Sequence, residues 1–367
     1  MSVSLEKAGE FASNEVFSTL KPRCHSGVFS RDIWRSMGRL GLLGMTVPER
    51  YGGSGGSPVE LAEAVREFTM AGRDLGLSLS WITHLALCVK SIEDFGTGEQ
   101  KERYLPRLMS GEWVGATAIS EPGSGAHPGR IKTVATEHDA GFELTGHKAY
   151  VTDGPVADLI IVLAATGTDE SRSELTAFLV ETSSAGLEAR PMYMDIVRTA
   201  PHGEIIMDGV QLGREAMLAP RGEGHTLVSR AAFARERSVV CAAICGLFTA
   251  AANEAAGRYR QKHEGLDLKG KDADSWIHHL SAIEVYRMVS RDLVDSAFGD
   301  IERWRRSIDL LIYLGLSYAK WGSWLGEFVA DNQLDTSFPL DLMMNDARLV
   351  LVGEGLLLKE GRRRYIR

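Results

Sequence analysis

The first third of the chain has apolar residues at helical spacing. In residues 57–76 they recur at intervals of four, three and seven positions, at Leu61, Val65, Phe68 and Leu75. A Ser-Pro dipeptide precedes this run, and proline is favoured in the first turn of a helix. The pattern predicts an N-terminal α-helical domain over residues 1–111.

The pattern changes to short β-rich runs near Trp113. These runs are rich in β-branched and aromatic residues, and Gly, Asp and Ser turns separate them. In chain order they are "WVGATAIS", "KTVATEHD", "GFELTGHKAYVT", "LIIVLAAT", "ELTAFLVE" and "GEIIMDGVQL". They predict a small antiparallel β domain over residues 112–222.

Helical spacing returns near Phe233. Residues 236–261 predict one long, largely buried helix, and 281–304 and 308–330 predict two more. We expect a C-terminal bundle of the four-helix type over residues 223–367. The fold class is therefore α+β, with the order α, β, α. A cleft where three such layers meet is a natural place for a flat cofactor.

Composition and charge exclude several functions. The net charge of -8 argues against general nucleic-acid binding, which needs a basic face. The longest uncharged apolar run, residues 238–252, is shorter than the ~20 residues that span a bilayer. The N-terminus lacks the apolar core of a signal peptide. We expect a cytoplasmic protein without a membrane span.

Cysteine and histidine usage gives no sign of a metal site. Of the four cysteines, only Cys241 and Cys245 are close in sequence, four positions apart in a helical pattern. Small buried hydrophobic residues in a reduced compartment explain them better than a metal or redox pair. The histidines show no ligand spacing beside them.

Four segments resemble, in order and at family spacing, signatures of the acyl-CoA dehydrogenase family. They are "LGLLGMTVPERYGGSGG", "FGTGEQKERYLPRLMSGEWVGATAISEPGSG", "LTGHKAYVTDGPVADLIIVLA" and "NDARLVLVGEG". The resemblance covers nearly the whole chain. It implies the acyl-CoA dehydrogenase-like fold, an FAD cofactor and a homotetramer or homodimer.

The stretch "ISEPGSGAHPG" at 119–129 is almost bare backbone. Glycine lets a chain turn sharply or approach another surface closely, so the stretch either forms a tight turn or presses against a ligand. The resemblance implies that the strand before it lies along the flavin ring. Thr117, Ile119 and Ser120 would then face the flavin, and Gly125 and Ala126 would line the substrate cavity.

The resemblance places Tyr150 and Thr152 on the other side of the flavin. The ring of Tyr150 would cover the flavin face, and Thr152 would offer a hydroxyl near the reactive nitrogen. Without the resemblance, both are ordinary strand residues with high β-propensity.

The family reaction oxidises a saturated acyl thioester to its 2,3-enoyl form by α-proton abstraction and hydride transfer to flavin. Glu354 matches the family's catalytic glutamate and lies in an apolar run beside Gly355, although an exposed turn would also explain it. Glu236 matches a second position, where other members place their base, and a helix N-terminal acid is its alternative. Arg237 would face the cavity or pair with Glu236.

The sequence departs from the family at groups that hold the pyrophosphate and adenylate of FAD. Glu327 and Asp331 stand there, and carboxylates repel phosphate. Two alternatives to a dehydrogenase therefore remain: a flavin-dependent oxygenase on the same fold, and a non-catalytic paralogue with a weakened cofactor site.

Partners implied for a dehydrogenase are an acyl thioester on CoA or an acyl carrier protein, and an electron-transfer flavoprotein. The sequence does not identify the acyl chain.

Overall fold

The described residues fall into two compact units. A computed structural model describes residues 5–123, 125, 127–167, 174–265, 268–299 and 308–348. The first unit contains Gly27–Ser57 and Ser80–Glu236. The second contains the described residues up to Ser26, Pro58–Leu79 and those from Arg237 onward. The boundaries 1–111, 112–222 and 223–367 stay a prediction.

The N-terminal part is helical, as its apolar spacing predicts. Its α-helices are Leu5–Phe11, Leu20–Ser26, Arg31–Arg39, Pro58–Gly72, Leu75–Ile82, Lys90–Phe95 and Gly98–Met109, with π-helical segments at Ala12–Val16 and Thr83–Val89. Thr97 and Gln100 form a capping box at the start of Gly98–Met109. The Gln100 amide also donates to the backbone carbonyls of Glu215 and Met217, at 2.8 and 2.9 Å. This helix is thereby fixed to the sheet that follows it.

The middle of the chain forms one eight-stranded sheet. Its strands are β1 Gly115–Ala118, β2 Val134–His138, β3 Gly141–Thr152, β4 Leu159–Ala165, β5 Leu175–Glu181, β6 Leu187–Met192, β7 His202–Gly213 and β8 Met217–Leu218. The order is β6-β7-β3-β2-β4-β5-β8, and β1 pairs with β4. Among described residues the pairings are antiparallel except for β1–β4 and one bridge between β2 and β4. Strands β1 and β4 can run parallel because a long connection, rather than a hairpin, joins them.

The core of the sheet consists of buried apolar side chains, and strands β4 and β5 are buried along almost their whole length. Phe142 on β3 and Phe178 on β5 meet edge to face, with ring centroids 5.0 Å apart.

The second unit is a set of packed helices. Arg230–Lys262 continues from the first unit into it, followed by Gly270–Gly299, Ile308–Asp331 and Leu340–Asp346. Gly246 lets the first of these approach helix Pro58–Gly72, because an added Cβ would lie 2.2 Å from the carbonyl oxygen of Arg66. Within the described residues these helices confirm the long helices predicted from the sequence, and residues 300–304 of the second predicted helix lie outside the described residues.

The cysteines behave as small hydrophobic residues. Cys88, Cys241 and Cys245 are buried free thiols, and burial raises the pKa of Cys245 to about 12. Among the described residues, no group of three or more His, Cys, Asp or Glu side chains could hold a metal ion.

Two helical stretches are long and apolar enough to cross a membrane, Leu75–Phe95 and Gly224–Lys262. The protein's own packing buries most of both stretches, and core helices commonly pass the same test of length and composition. The expectation of a cytoplasmic protein without a membrane span stays a prediction.

Candidate active site

A cavity of about 170 Å³ opens in the first unit, beside the ends of β1 and β3. All five residues predicted to contact a cofactor line it, namely Thr117, Ile119, Ser120, Tyr150 and Thr152. Glu236 also lines it, from the first turns of helix Arg230–Lys262. Side chains from three distant segments of the chain therefore meet at one small polar cavity.

The β1 wall of the cavity carries an unsatisfied polar atom. The Oγ1 atom of Thr117 is buried and has no hydrogen-bond partner among the described residues. A buried hydroxyl without a partner costs free energy, so such a group in a cavity is suited to a ligand that supplies the missing partner.

A buried ion pair anchors this wall from behind. Lys148 on β3 and Glu121 meet at 2.9 Å, and their side chains are 0% and 3% exposed. Glu121 also accepts hydrogen bonds from the backbone N–H groups of Lys132 and Thr133, at 2.7 and 2.9 Å. Burial raises the pKa of Glu121, but the hydrogen bonds from Lys148 and Thr133 outweigh it and hold that pKa below its ordinary value.

The small residues after β1 form a tight turn. Glu121 and Gly125 exchange two backbone hydrogen bonds, each 3.0 Å long, and Gly123 and Gly125 have φ of 76° and 59°. The turn, the first of the two alternatives for this stretch, is therefore present. Gly125 is exposed and is not among the residues that line the cavity. Ala126 lies outside the described residues.

The β3 wall has unusual backbone geometry. Tyr150 and Asp153 have φ of 59° and 61°, a region that residues other than glycine seldom occupy. The pairing of β3 with β7 shifts register between Lys148 and Val151, at the same place. As a result the Tyr150 side chain leaves the sheet and is 61% exposed, where its ring can cover a ligand.

Asp153 is buried behind the β3 wall. Its carboxyl group accepts hydrogen bonds from the hydroxyls of Ser80, at 2.6 Å, and Thr83, at 3.4 Å. Burial raises its pKa to about 7, because these two neutral donors only partly replace water. Sequence analysis did not single out this residue.

His202 stands beside Thr152 on the neighbouring strand. The two residues are direct partners in the register of β3 and β7, and the Thr152 Oγ1 atom lies 3.2 Å from His202 Nε2. The His202 Nδ1 atom lies 2.8 Å from the backbone oxygen of Ala200. Sequence analysis did not single out His202 either.

Of the two candidate bases, the structure describes Glu236 but not Glu354. Glu236 lies at the cavity, and its neighbour Arg235 forms an ion pair with Asp94. Arg237 is exposed, belongs to the second unit and is not among the lining residues. Glu354 and Gly355 lie outside the described residues, so their predicted roles stay predictions.

Two family models match consecutive parts of the chain. The N-terminal domain of acyl-CoA dehydrogenase matches residues 4–112, and the middle domain matches residues 116–210. A mitochondrial isovaleryl-CoA dehydrogenase from Arabidopsis thaliana is 30% identical over 297 residues, which cover 78% of this chain and 72% of the plant protein. The chain belongs to the acyl-CoA dehydrogenase family. It is therefore an acyl-CoA dehydrogenase-like oxidoreductase that acts on CH–CH bonds.

A second relative is named for a substrate on a carrier protein rather than on CoA. It is the L-prolyl-[peptidyl-carrier protein] dehydrogenase of Pseudomonas fluorescens, 32% identical over 225 residues. The match covers 61% of this chain and 59% of that protein, so the chain aligns with less than two thirds of its length.

Solved structures share the acyl-CoA dehydrogenase fold over almost the entire chain. Butyryl-CoA dehydrogenase from Megasphaera elsdenii has a TM-score of 0.83 at 23% identity and covers 99% of this chain and 97% of its own. An FAD complex of PigA also has a TM-score of 0.83, at 20% identity, and covers 98% of this chain and 96% of its own. FAD is thus the cofactor found in structural homologues.

The residues of the first unit suit an isoalloxazine ring. The Thr117 hydroxyl needs a partner, Thr152 adds a second hydroxyl, and the Tyr150 ring is available for stacking. Glu327 and Asp331, which the resemblance places near the phosphates of FAD, are exposed in the second unit. The residues of this cavity therefore fit a flavin ring, and their roles in binding it stay a prediction.

Proposed function

We propose that this acyl-CoA dehydrogenase-family protein introduces a Cα–Cβ double bond into an acyl thioester, using FAD bound beside the cavity. The observation that carries the proposal is the presence of one carboxylate, Glu236, in the same cavity as the five predicted cofactor residues. A general base and a redox cofactor must both reach adjacent carbons of the substrate, and this arrangement meets that requirement.

The protein's side chains have separate tasks in this reaction. Bound FAD supplies an acceptor for two electrons and the hydrogen from the β-carbon. Glu236 takes the α-proton as the general base. Tyr150 would cover the ring of bound FAD and limit the access of water, and the hydroxyls of Thr117 and Thr152 would hold the edge of the ring.

The choice of Glu236 as the base differs from the prediction that Glu354 is the base. Glu354 matches the family's catalytic glutamate by resemblance, and it lies outside the described residues. Both residues cannot be the principal base for one α-proton. We propose Glu236 because it is the carboxylate that lines the described cavity.

The substrate class is an acyl group on a thioester carrier. One relative is named for isovaleryl-CoA and another for a prolyl group on a peptidyl-carrier protein, so both branched acyl-CoA and carrier-bound aminoacyl groups are candidate substrates. The electrons would pass to an electron-transfer flavoprotein. Assembly into a homotetramer or homodimer stays a prediction.

Reconstitution with FAD followed by anaerobic substrate titration tests the proposal. We expect flavin absorption bands that bleach on addition of a branched acyl-CoA or a prolyl-carrier thioester, with formation of the unsaturated product. Absence of titratable flavin binding would overturn the proposal and favour the non-catalytic paralogue. Rapid reoxidation in air with a hydroxylated product would instead favour the oxygenase.

A further inference from the structure

The hydrogen bonds of His202 define where its proton lies. The backbone oxygen of Ala200 can only accept a hydrogen bond, so the Nδ1 atom, 2.8 Å away, must carry a hydrogen. His202 is buried, and burial lowers its pKa although the bond to Ala200 works in the opposite direction. The ring is therefore neutral, and its Nε2 atom carries a lone pair.

The lone pair of His202 orients the hydroxyl of Thr152. A neutral Nε2 atom can only accept, so the Thr152 hydroxyl donates its one hydrogen along the 3.2 Å contact. Within the described residues, this is the hydroxyl's one hydrogen bond. Thr152 also lines the cavity, and because its one hydrogen is used on His202, its Oγ1 atom can only accept a hydrogen bond from a ligand there. The group opposite must then be a hydrogen-bond donor.

The reactive ring nitrogen of a flavin is such a donor in one of its two redox states. Its reactive ring nitrogen has a lone pair and no hydrogen when oxidised, and two-electron reduction adds a hydrogen there. The electron pair and the hydrogen come from the β-carbon of the substrate, and the α-proton goes to the base. An acceptor held opposite this nitrogen therefore stabilises the reduced form and gives the oxidised form nothing.

We propose that His202 is a positioning residue that fixes the Thr152 hydroxyl as an acceptor and thereby favours the reduced flavin. This inference rests on the proposed function, since it needs a flavin beside Thr152. Strand register maintains the arrangement, because Thr152 and His202 are direct partners in the β3–β7 pairing. His202 acts through Thr152 and is not among the lining residues of the cavity.

Two substitutions of His202 separate its two hydrogen bonds. In H202N the shorter amide can still donate to Ala200 but cannot reach Thr152. In H202Q the amide oxygen can occupy the Nε2 position and accept from Thr152. Loss of one hydrogen bond changes an equilibrium by up to about tenfold, which is about 30 mV for a two-electron couple.

Reductive titration of FAD-loaded protein against a reference dye measures this effect. We expect the midpoint potential of H202N to fall by up to about 30 mV, because the ratio of reduced to oxidised flavin falls by up to about tenfold. H202Q should remain close to the parent protein. In a T152V background, H202N should cause no further shift, as a double-mutant cycle requires for residues that act together.

Nitrogen NMR of the flavin-free protein supplies a readout without FAD. We expect His202 to be neutral with its hydrogen on Nδ1, and T152V to shift the Nε2 resonance. A hydrogen on Nε2, or an unchanged potential in folded, FAD-loaded H202N, would overturn the inference and leave the proposed function standing. Failure of the parent protein to bind FAD would overturn both.

Discussion

Each of the two turns beside the cavity contains a buried carboxyl group, and the pKa values of these two groups are shifted in opposite directions. After β1, Glu121 is paired with a buried lysine and its pKa is held down. After β3, the side chain of Asp153 accepts hydrogen bonds from the hydroxyls of Ser80 and Thr83, and burial raises its pKa to about 7 although these bonds and the charge of Arg31 act to lower it. The first turn is stabilised by charge, and the second by neutral hydrogen bonds around strained backbone.

The difference indicates what each wall contributes to the site. An ion pair with several extra hydrogen bonds holds the β1 wall in one geometry. A neutral network lets the β3 wall keep Tyr150 and Asp153 at positive φ, where the chain exposes an aromatic ring to the cavity. The following substitutions test this contrast, from the largest expected effect to the smallest.

K148M should have the largest effect on stability. It leaves Glu121 buried without its cation, and breaking a buried pair in this way costs about 3–5 kcal/mol. Chemical denaturation of the flavin-free protein measures the loss, and the double variant E121Q/K148M should recover part of it. R190M, which breaks an exposed pair with Glu188, is the surface control. A K148M protein as stable as the parent would contradict the role of this pair.

D153N should change the pH dependence of stability. The raised pKa means that the folded state keeps a proton that the unfolded state releases above about pH 4, so this group lowers stability as pH rises towards 7. With a folded pKa of about 7 and an ordinary value of 3.8, the parent protein should lose about 2–3 kcal/mol from this group between pH 5 and 8.

Thermal unfolding of the parent and D153N across that pH range tests the prediction. Asparagine tolerates positive φ and stays neutral, so D153N should remove most of this loss. D139N, in the exposed turn between β2 and β3, is the surface substitution for comparison. Parallel pH profiles for the parent and D153N would show that Asp153 is not protonated in the folded protein.

T117V and T152V should show the smallest effects, with opposite signs in the flavin-free protein. T117V removes a buried hydroxyl that lacks a partner, so stability should stay equal or rise by about 1 kcal/mol. T152V leaves the buried Nε2 atom of His202 without its donor and should cost about 1–3 kcal/mol. Chemical denaturation of both variants measures these changes in the free energy of unfolding. Equal losses of stability in T117V and T152V would contradict the distinction between the two walls.

Sequence periodicity predicts the elements well because their apolar patterns are long and regular. The helix Arg230–Lys262 and strands such as Leu159–Ala165 follow from continuous apolar runs. The parallel pairing of β1 with β4 cannot be predicted in this way. It depends on a connection of about forty residues, and the local sequence does not specify the path of that connection. The order of the three regions follows from the same changes of period.

The site is only partly predictable for a related reason. Thr117, Tyr150 and Thr152 lie in motifs that resemble a known family, and the structure brings them to one cavity. Glu121–Lys148 and Thr152–His202 join residues 27 and 50 positions apart, and their meeting depends on sheet register. A lysine inside the β-rich run "GHKAYV" was the one local signal of a buried charge.

The most direct test of the account is single-turnover bleaching of bound flavin by substrate, measured anaerobically in E236Q and E354Q. This experiment isolates the chemical step from product release. The account predicts that E236Q folds and binds FAD but bleaches about 10²–10⁴-fold more slowly, because a positioned general base contributes that much. E354Q should bleach at close to the parent rate. Near-normal bleaching in E236Q with its loss in E354Q would contradict the account and assign the base to Glu354.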